Sequence, residues 1–131
     1  WQAGGGPHFV GVCTEDEGMG VNAGLYMGGQ NPMMCIQNNG VFASINTLKA
    51  IALDAKVPTF IMVGQFQRDV NKTIEEQSSR AVRMLEPTLD SWGVPYWRIE
   101  NPGDIGVLKI AYERAWADKG PAVVIIGAPT L

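Results

Sequence analysis

The feature that most constrains this chain is a set of short apolar runs that do not alternate with polar residues. Pro58–Gly64 and Ala122–Ile126 are the plainest, and His8–Cys13 and Pro32–Gln37 share the character. A strand with one wet face alternates apolar and polar residues. A strand buried on both faces does not, and such strands belong to parallel sheets covered by helices on each side.

Helix-like spans separate the runs. The expected order is a strand at His8–Cys13, a helix at Glu15–Gly28, a strand at Pro32–Gln37 and a turn at Asn38-Asn39-Gly40. A helix from about Val41 to Ala55 follows, then a strand at Thr59–Gly64 and a polar loop at Gln65–Gln77. Ser79–Trp92 reads as a helix interrupted near Pro87, because proline lacks the amide proton that a helix interior uses. Tyr96–Ile99 is the next strand. In the helix Asp104–Asp118, Ile105, Leu108, Tyr112, Ala115 and Trp116 fall on one face. Pro102 and Gly120-Pro121 punctuate its ends, and Val123–Ile126 is the last strand. Without repeats or a linker, residues 1–131 read as one α/β domain, a mostly parallel sheet of five or six strands with helices on both faces. The chain opens Trp-Gln-Ala-Gly-Gly-Gly without an initiator Met, so an N-terminal strand and helix are expected to be missing from it.

Charge excludes two classes of partner. A net charge of -3 with both signs mixed along the chain offers no basic face to nucleic acid and no Lys/Arg cluster to an anionic membrane. The apolar runs are strand-length, far short of the roughly 20 residues of a membrane span. Cys13 and Cys35 lie in apolar stretches without metal-ligand spacing and read as buried free thiols. No metal-ligand cluster is expected, and the absence of a signal peptide makes the cytoplasm the expected setting.

In an open parallel sheet, ligands gather where strands end and helices begin. Three such junctions stand out: Thr14-Glu15-Asp16-Glu17-Gly18, Gln37-Asn38-Asn39-Gly40, and Gly64-Gln65-Phe66-Gln67. Acids in a first helical turn are favoured by the helix dipole whatever else they do. Gly18, Gly20 and Gly24 faintly resemble a dinucleotide fingerprint, but the acidic triplet stands where a pyrophosphate would lie. Glycines four apart, Gly20, Gly24 and Gly28, more simply mean a helix face pressed against its neighbour. His8, the one histidine, lies away from these junctions and reads as structural.

Taken together, the motifs resemble a known family. Thr14 through Tyr26, then Pro32, Gln37-Asn38-Asn39-Gly40 and Asn46-Thr47-Leu48 look like the pyrimidine domain of thiamine-diphosphate enzymes. They are most like sulfopyruvate and phosphonopyruvate decarboxylases, as is the stretch Trp92-Gly93-Val94-Pro95-Tyr96. The similarity runs from about Phe9 to Gly127. It implies that Glu15 hydrogen-bonds the aminopyrimidine of thiamine diphosphate and activates it for a lyase reaction, loss of carbon dioxide from a small anionic 2-oxoacid. Asp16 and Glu17 fall one and two residues further on, so a slip of register would transfer this role to one of them.

Asn38, Asn39 and Gly40 match the Gln-Asn-Ser-Gly turn that faces the reacting centre, with Asn39 replacing the usual Ser. Gln65 matches a Gly-Gln pair of acetolactate-synthase-like relatives, while phosphonopyruvate decarboxylases often carry a Trp-Arg sequence there. Arg68 and Lys72 in the same loop read first as solvated charges and second as contacts for an anionic substrate. The Gly-Asp-Gly motif that holds diphosphate and Mg2+ is missing, and Gly103-Asp104-Ile105 does not replace it. The resemblance therefore implies a diphosphate-binding, beta-type partner subunit or domain, and a hetero-oligomer. The rival readings are a non-catalytic partner subunit of the same fold and a nucleotide-binding α/β domain.

Overall fold

In a computed structural model the described residues are 6–127. The element order is α1 (Glu15–Met27), β1 (Met34–Gln37), α2 (Asn38–Ala43), α3 (Ile45–Leu48), β2 (Thr59–Gly64), α4 (Arg80–Ser91), β3 (Tyr96–Ile99), α5 (Val107–Asp118) and β4 (Pro121–Ile126). A π-helical stretch, Lys49–Asp54, extends α3, and a 3-10 turn, Pro102–Gly106, leads into α5. The strands form one sheet in the order β1-β2-β4-β3, and every neighbouring pair is parallel.

Period-2 alternation divides the core between two faces. Ile61 and Val63 of β2 and Val123 and Ile125 of β4 point towards α1, α2, α3 and α4, where Met19, Val41, Leu48, Leu85 and Leu89 bury them. Phe60 of β2 and Ala122 and Val124 of β4 point the other way, onto Ala111 and Ala115 of α5. Tyr112 stacks on Trp116 and meets Phe60 edge-on at the rim of that second cluster. The α/β class with helices on both faces is thus as expected. Among the described residues no helix is long and apolar enough to cross a membrane.

Several expectations need correction. The sheet has four strands among the described residues, not five or six. His8–Cys13 is not a strand: it has no ladder partner and lies exposed, with Phe9 81% accessible. An apolar run becomes a strand only where another backbone pairs with it. Asn38-Asn39-Gly40 is the first turn of α2 rather than a free turn. The helix expected over 41–55 is broken at Ser44, whose hydroxyl donates to the Gly40 carbonyl at 2.7 Å. Such back-bonding competes with the helical ladder and bends it. Helix α4 runs through Pro87 without interruption. Pro87 faces solvent, so the carbonyl it leaves unpaired can be hydrated.

The glycine stripe also differs. A Cβ added at Gly20 or Gly24 would meet nothing within 4 Å, so that face is open rather than pressed against a neighbour. Close approach occurs at Gly18 instead, where a Cβ would lie 3.0 Å from the Met34 methyl. Helix α1 is pinned over the sheet by buried Asn22, whose amide donates to the Pro58 carbonyl at 3.2 Å and to Thr59 Oγ1 at 3.3 Å. Ile105, expected on the buried face of the last helix, is exposed, because the chain there is a 3-10 turn of different pitch.

Candidate functional site

The three junctions singled out from the sequence follow the ends of the structure's architecture in two cases. Gln37 ends β1 and leads into Asn38, and Gly64 ends β2 and leads into Gln65, at the carboxyl edge of the sheet. The acidic junction is held beside them by α1, with no strand before it among the described residues. A cleft of about 500 Å³ opens there, lined by Cys13, Thr14, Glu15, Cys35, Gln37 and Gly64 among others. Its floor is the part of β1 and β2 that α5 leaves uncovered.

The three acids of the first turn of α1 have separate partners. Thr14 caps the helix, its hydroxyl accepting from the Glu17 amide at 3.2 Å. Glu17 reaches back, and its Oε2 accepts from the Cys13 amide at 2.7 Å. This is a capping box closed one residue early, visible in the sequence as Thr-x-x-Glu. Asp16 Oδ1 accepts from the Thr47 hydroxyl at 2.5 Å, joining α1 to α3. Glu15 makes no hydrogen bond among the described residues, and it lines the cleft. Helix capping and inter-helix bonding therefore account for Glu17 and Asp16, and leave Glu15 available to a ligand.

Glycine at position 40 sets where that carboxyl sits. A Cβ built on Gly40 would lie 2.5 Å from Glu15 Cγ, 2.6 Å from Oε1 and 2.7 Å from Cδ. The side chain of Glu15 rests directly against the bare α-carbon of Gly40, the third residue of α2. Of the other residues singled out, Asn38 is buried and is not among the residues that line the cleft. Its Nδ2 donates to the Phe66 carbonyl at 3.2 Å and its Oδ1 accepts from the Asn39 amide at 3.1 Å. Asn39 itself is exposed. Asn38 thus ties the start of α2 to the loop after β2.

Gln65 is buried and lies outside the cleft lining, in a cluster that sequence reasoning did not assemble. Its Oε1 accepts from Arg68 Nη1 at 2.7 Å, and the same nitrogen meets Glu100 Oε1 at 2.7 Å. Arg68, read from the sequence as a solvated charge, has a side chain only 12% exposed. Lys72 does face solvent and pairs with Asp69 at 3.5 Å. No local signal links Arg68 to Glu100, which lies 32 residues away. Behind them Gln77 organises the loop: its Oε1 accepts from the Asp69 amide, and its Nε2 donates to the carbonyls of Asp69, Lys72 and Thr73.

Both cysteines are free and accessible rather than buried. They share the cleft wall, and partial burial pushes the Cys35 thiol above its ordinary range. Its neighbour Gln37 points to the same uncovered face, two residues along β1.

The fold and cleft define an open parallel α/β domain with an unengaged carboxylate at the carboxyl edge of its sheet. Comparison with known proteins agrees with the resemblance carried by the motifs. The chain is similar to the sulfopyruvate decarboxylase subunit alpha of Methanococcus maripaludis, 26% identical over 118 residues that cover 89% of this chain and 70% of the relative. It is similar to a sulfopyruvate decarboxylase of Methanosarcina acetivorans, 28% identical over 88% of this chain and 29% of the relative. A third relative is the sulfopyruvate decarboxylase subunit alpha of Methanocaldococcus jannaschii, 27% identical over 70% of this chain and 53% of the relative. The chain thus spans less than two thirds of two of these relatives. No family model matches it.

Proposed function

We propose that this chain is the pyrimidine-binding, alpha-type component of a thiamine-diphosphate-dependent decarboxylase of small anionic 2-oxoacids. The observation that carries the reading is the division of labour in the first turn of α1. Of three adjacent acids, Glu15 alone lines the cleft and has no hydrogen-bond partner among the described residues. The names of the relatives support the reaction class, and the alpha designation of two of them supports assembly with a second subunit.

The residues present fit the cofactor's pyrimidine end. Glu15 would meet the ring, with Gly40 providing the bare backbone against which the carboxyl lies. Asn38 would act through the loop it secures and Asn39 would flank the reacting centre from the start of α2, whereas buried Gln65, outside the cleft lining, would act through Arg68. When bound, thiamine diphosphate supplies a carbon nucleophile and an electron sink for carbon dioxide loss. The work of this chain is to hold a proton at a Glu15 carboxyl oxygen and to keep that oxygen in place. Diphosphate and Mg2+ would be held by the beta-type partner, in a cytoplasmic hetero-oligomer.

The test compares three variants in the assembled enzyme. Glu15→Gln should reduce decarboxylation by about 100-fold or more, the usual scale of a proton-transferring group. Asp16→Asn and Glu17→Gln should stay within a few-fold of the parent, their effects passing through stability. Full turnover by the Glu15 variant would leave the chain as a non-catalytic subunit of the same fold.

A further inference from the structure

Gln65 and Arg68 each carry a donor that the described residues leave unused. Gln65 Nε2 and Arg68 Nε are both inaccessible to solvent and have no hydrogen-bond partner. Buried donors in native proteins are nearly always paired, so two orphans in one contact call for an acceptor. The sense of the Gln65 amide is fixed by chemistry. Arginine has five N–H donors and no acceptor, so the atom facing Arg68 Nη1 must be the amide oxygen. Nε2 is thereby aimed away from the guanidinium as a donor. Gln65 as a whole is 9% exposed.

The setting is a built one. Gln65 follows β2, Glu100 follows β3 and Gly127 follows β4, so the cluster spans three strand ends on the carboxyl edge. A Cβ at Gly127 would lie 1.8 Å from Arg68 Nη1 and 2.8 Å from Glu100 Oε1. Only glycine there lets the guanidinium lie across the end of β4. Glu100, with a side chain 37% exposed, is the outward member of the group. A ligand arriving from solvent meets Glu100 first and competes with it for the guanidinium.

We propose that Gln65 and Arg68 form a subsite for the oxyanion end, carboxylate or sulfonate, of a small acid, with Glu100 as the internal anion that the ligand displaces. The class of ligand rests on the oxoacid reading above, whereas the existence of the subsite rests on the two orphaned donors. Glu100 makes the site selective by keeping it closed to weak competitors, because any incoming anion must bind better than a tethered carboxylate.

Calorimetric titration of the full chain in its native assembly with sulfoacetate, an unreactive sulfonate-bearing acid, tests this. Arg68→Lys, which keeps the charge but loses Nε and the planar fork, should weaken binding about tenfold or more. Gln65→Glu keeps the contact with Arg68 but replaces the donor by an anion, and should abolish binding. Glu100→Gln removes the competitor and should tighten binding by about threefold or more, a change of sign that misfolding cannot imitate. Glu15→Gln should leave the dissociation constant within about twofold, so that loss of the cofactor reading and loss of this one give different patterns. No binding to the parent, weaker binding by Glu100→Gln, or equal affinity for inorganic sulfate (an adventitious ion only) would each overturn the proposal.

Discussion

Gly40→Ala separates the position of Glu15 from the stability of the fold. The new methyl carbon would stand 2.5 Å from Glu15 Cγ, whereas non-bonded carbons rest at about 3.5–4.0 Å. Something must move by about 1 Å or more, and the nearest atoms all belong to the Glu15 side chain. That side chain is half-exposed and can rotate, at a rotamer cost of about 0.5–1.5 kcal/mol. Alanine inside α2 returns about 1 kcal/mol of helix propensity over glycine. The two effects nearly cancel, and thermal unfolding should shift by no more than about 4 °C. Activity should respond differently. Misplacing a reacting group by 1 Å costs about 100-fold, so turnover by the assembled enzyme should fall towards that of Glu15→Gln while the protein remains folded. Parental turnover with an unchanged melting temperature would refute the reasoning, since the carboxyl would then work from somewhere other than its place against Gly40.

Other consequences are independent of that residue. Gln77→Ala removes four hydrogen bonds from a side chain only 1% exposed, and should cost about 2–4 kcal/mol and speed tryptic cleavage at Lys72. Pro87→Ala restores an amide to the exposed interior of α4 and should stabilise the fold by about 1–3 kcal/mol, raising the denaturant midpoint with an unchanged slope. Because burial holds the Cys35 thiol above its ordinary range, its thiolate is scarcer at pH 8 than that of a free cysteine. Alkylation should therefore be slower than for free cysteine and accelerate as pH rises, and a molecule filling the cleft should protect it; equal rates with and without such a molecule would remove Cys35 from the cleft wall.

The legible part of this chain is the part decided locally. The limits of β2 and β3 fall where the apolar runs end, and α1 starts where Thr14 and Glu17 say a helix should. Resemblance could nominate Glu15, but its separation from Asp16 depended on Thr47, which is brought beside Asp16 only by the packing of α3 on α1. The same holds for Arg68, whose burial follows from Glu100 and Gly127 meeting it at the strand ends. His8–Cys13 failed for the opposite reason. Its composition suits a strand, but hydrophobicity specifies burial, and only a backbone partner specifies a ladder. The helix over 41–55 is interrupted at Ser44, whose amide and hydroxyl both donate to the Gly40 carbonyl, a local bend that apolar spacing does not signal.

The location of the cleft follows from the imbalance between the two faces of the sheet. Among the described residues four helices cover the face of Ile61 and Val63, whereas α5 alone covers the other, over β2, β4 and β3. Parallel sheets ordinarily have both faces covered, because their strands carry apolar residues on both sides. Strand β1 departs from that composition. Cys35 and Gln37 point to the α5 side, which α5 does not reach over β1, and both are exposed, while Met34 and Ile36 point into the main core. A polar or weakly apolar pair at the uncovered end of an edge strand tolerates water, so no packing force closes the gap beside Glu15. Replacing Cys35 and Gln37 with leucine and valine would make that surface apolar without touching the core, and ligand affinity should fall as the cleft loses its polar floor. The same residues that keep β1 from being sealed are thus the ones that give the carboxylate a place to act.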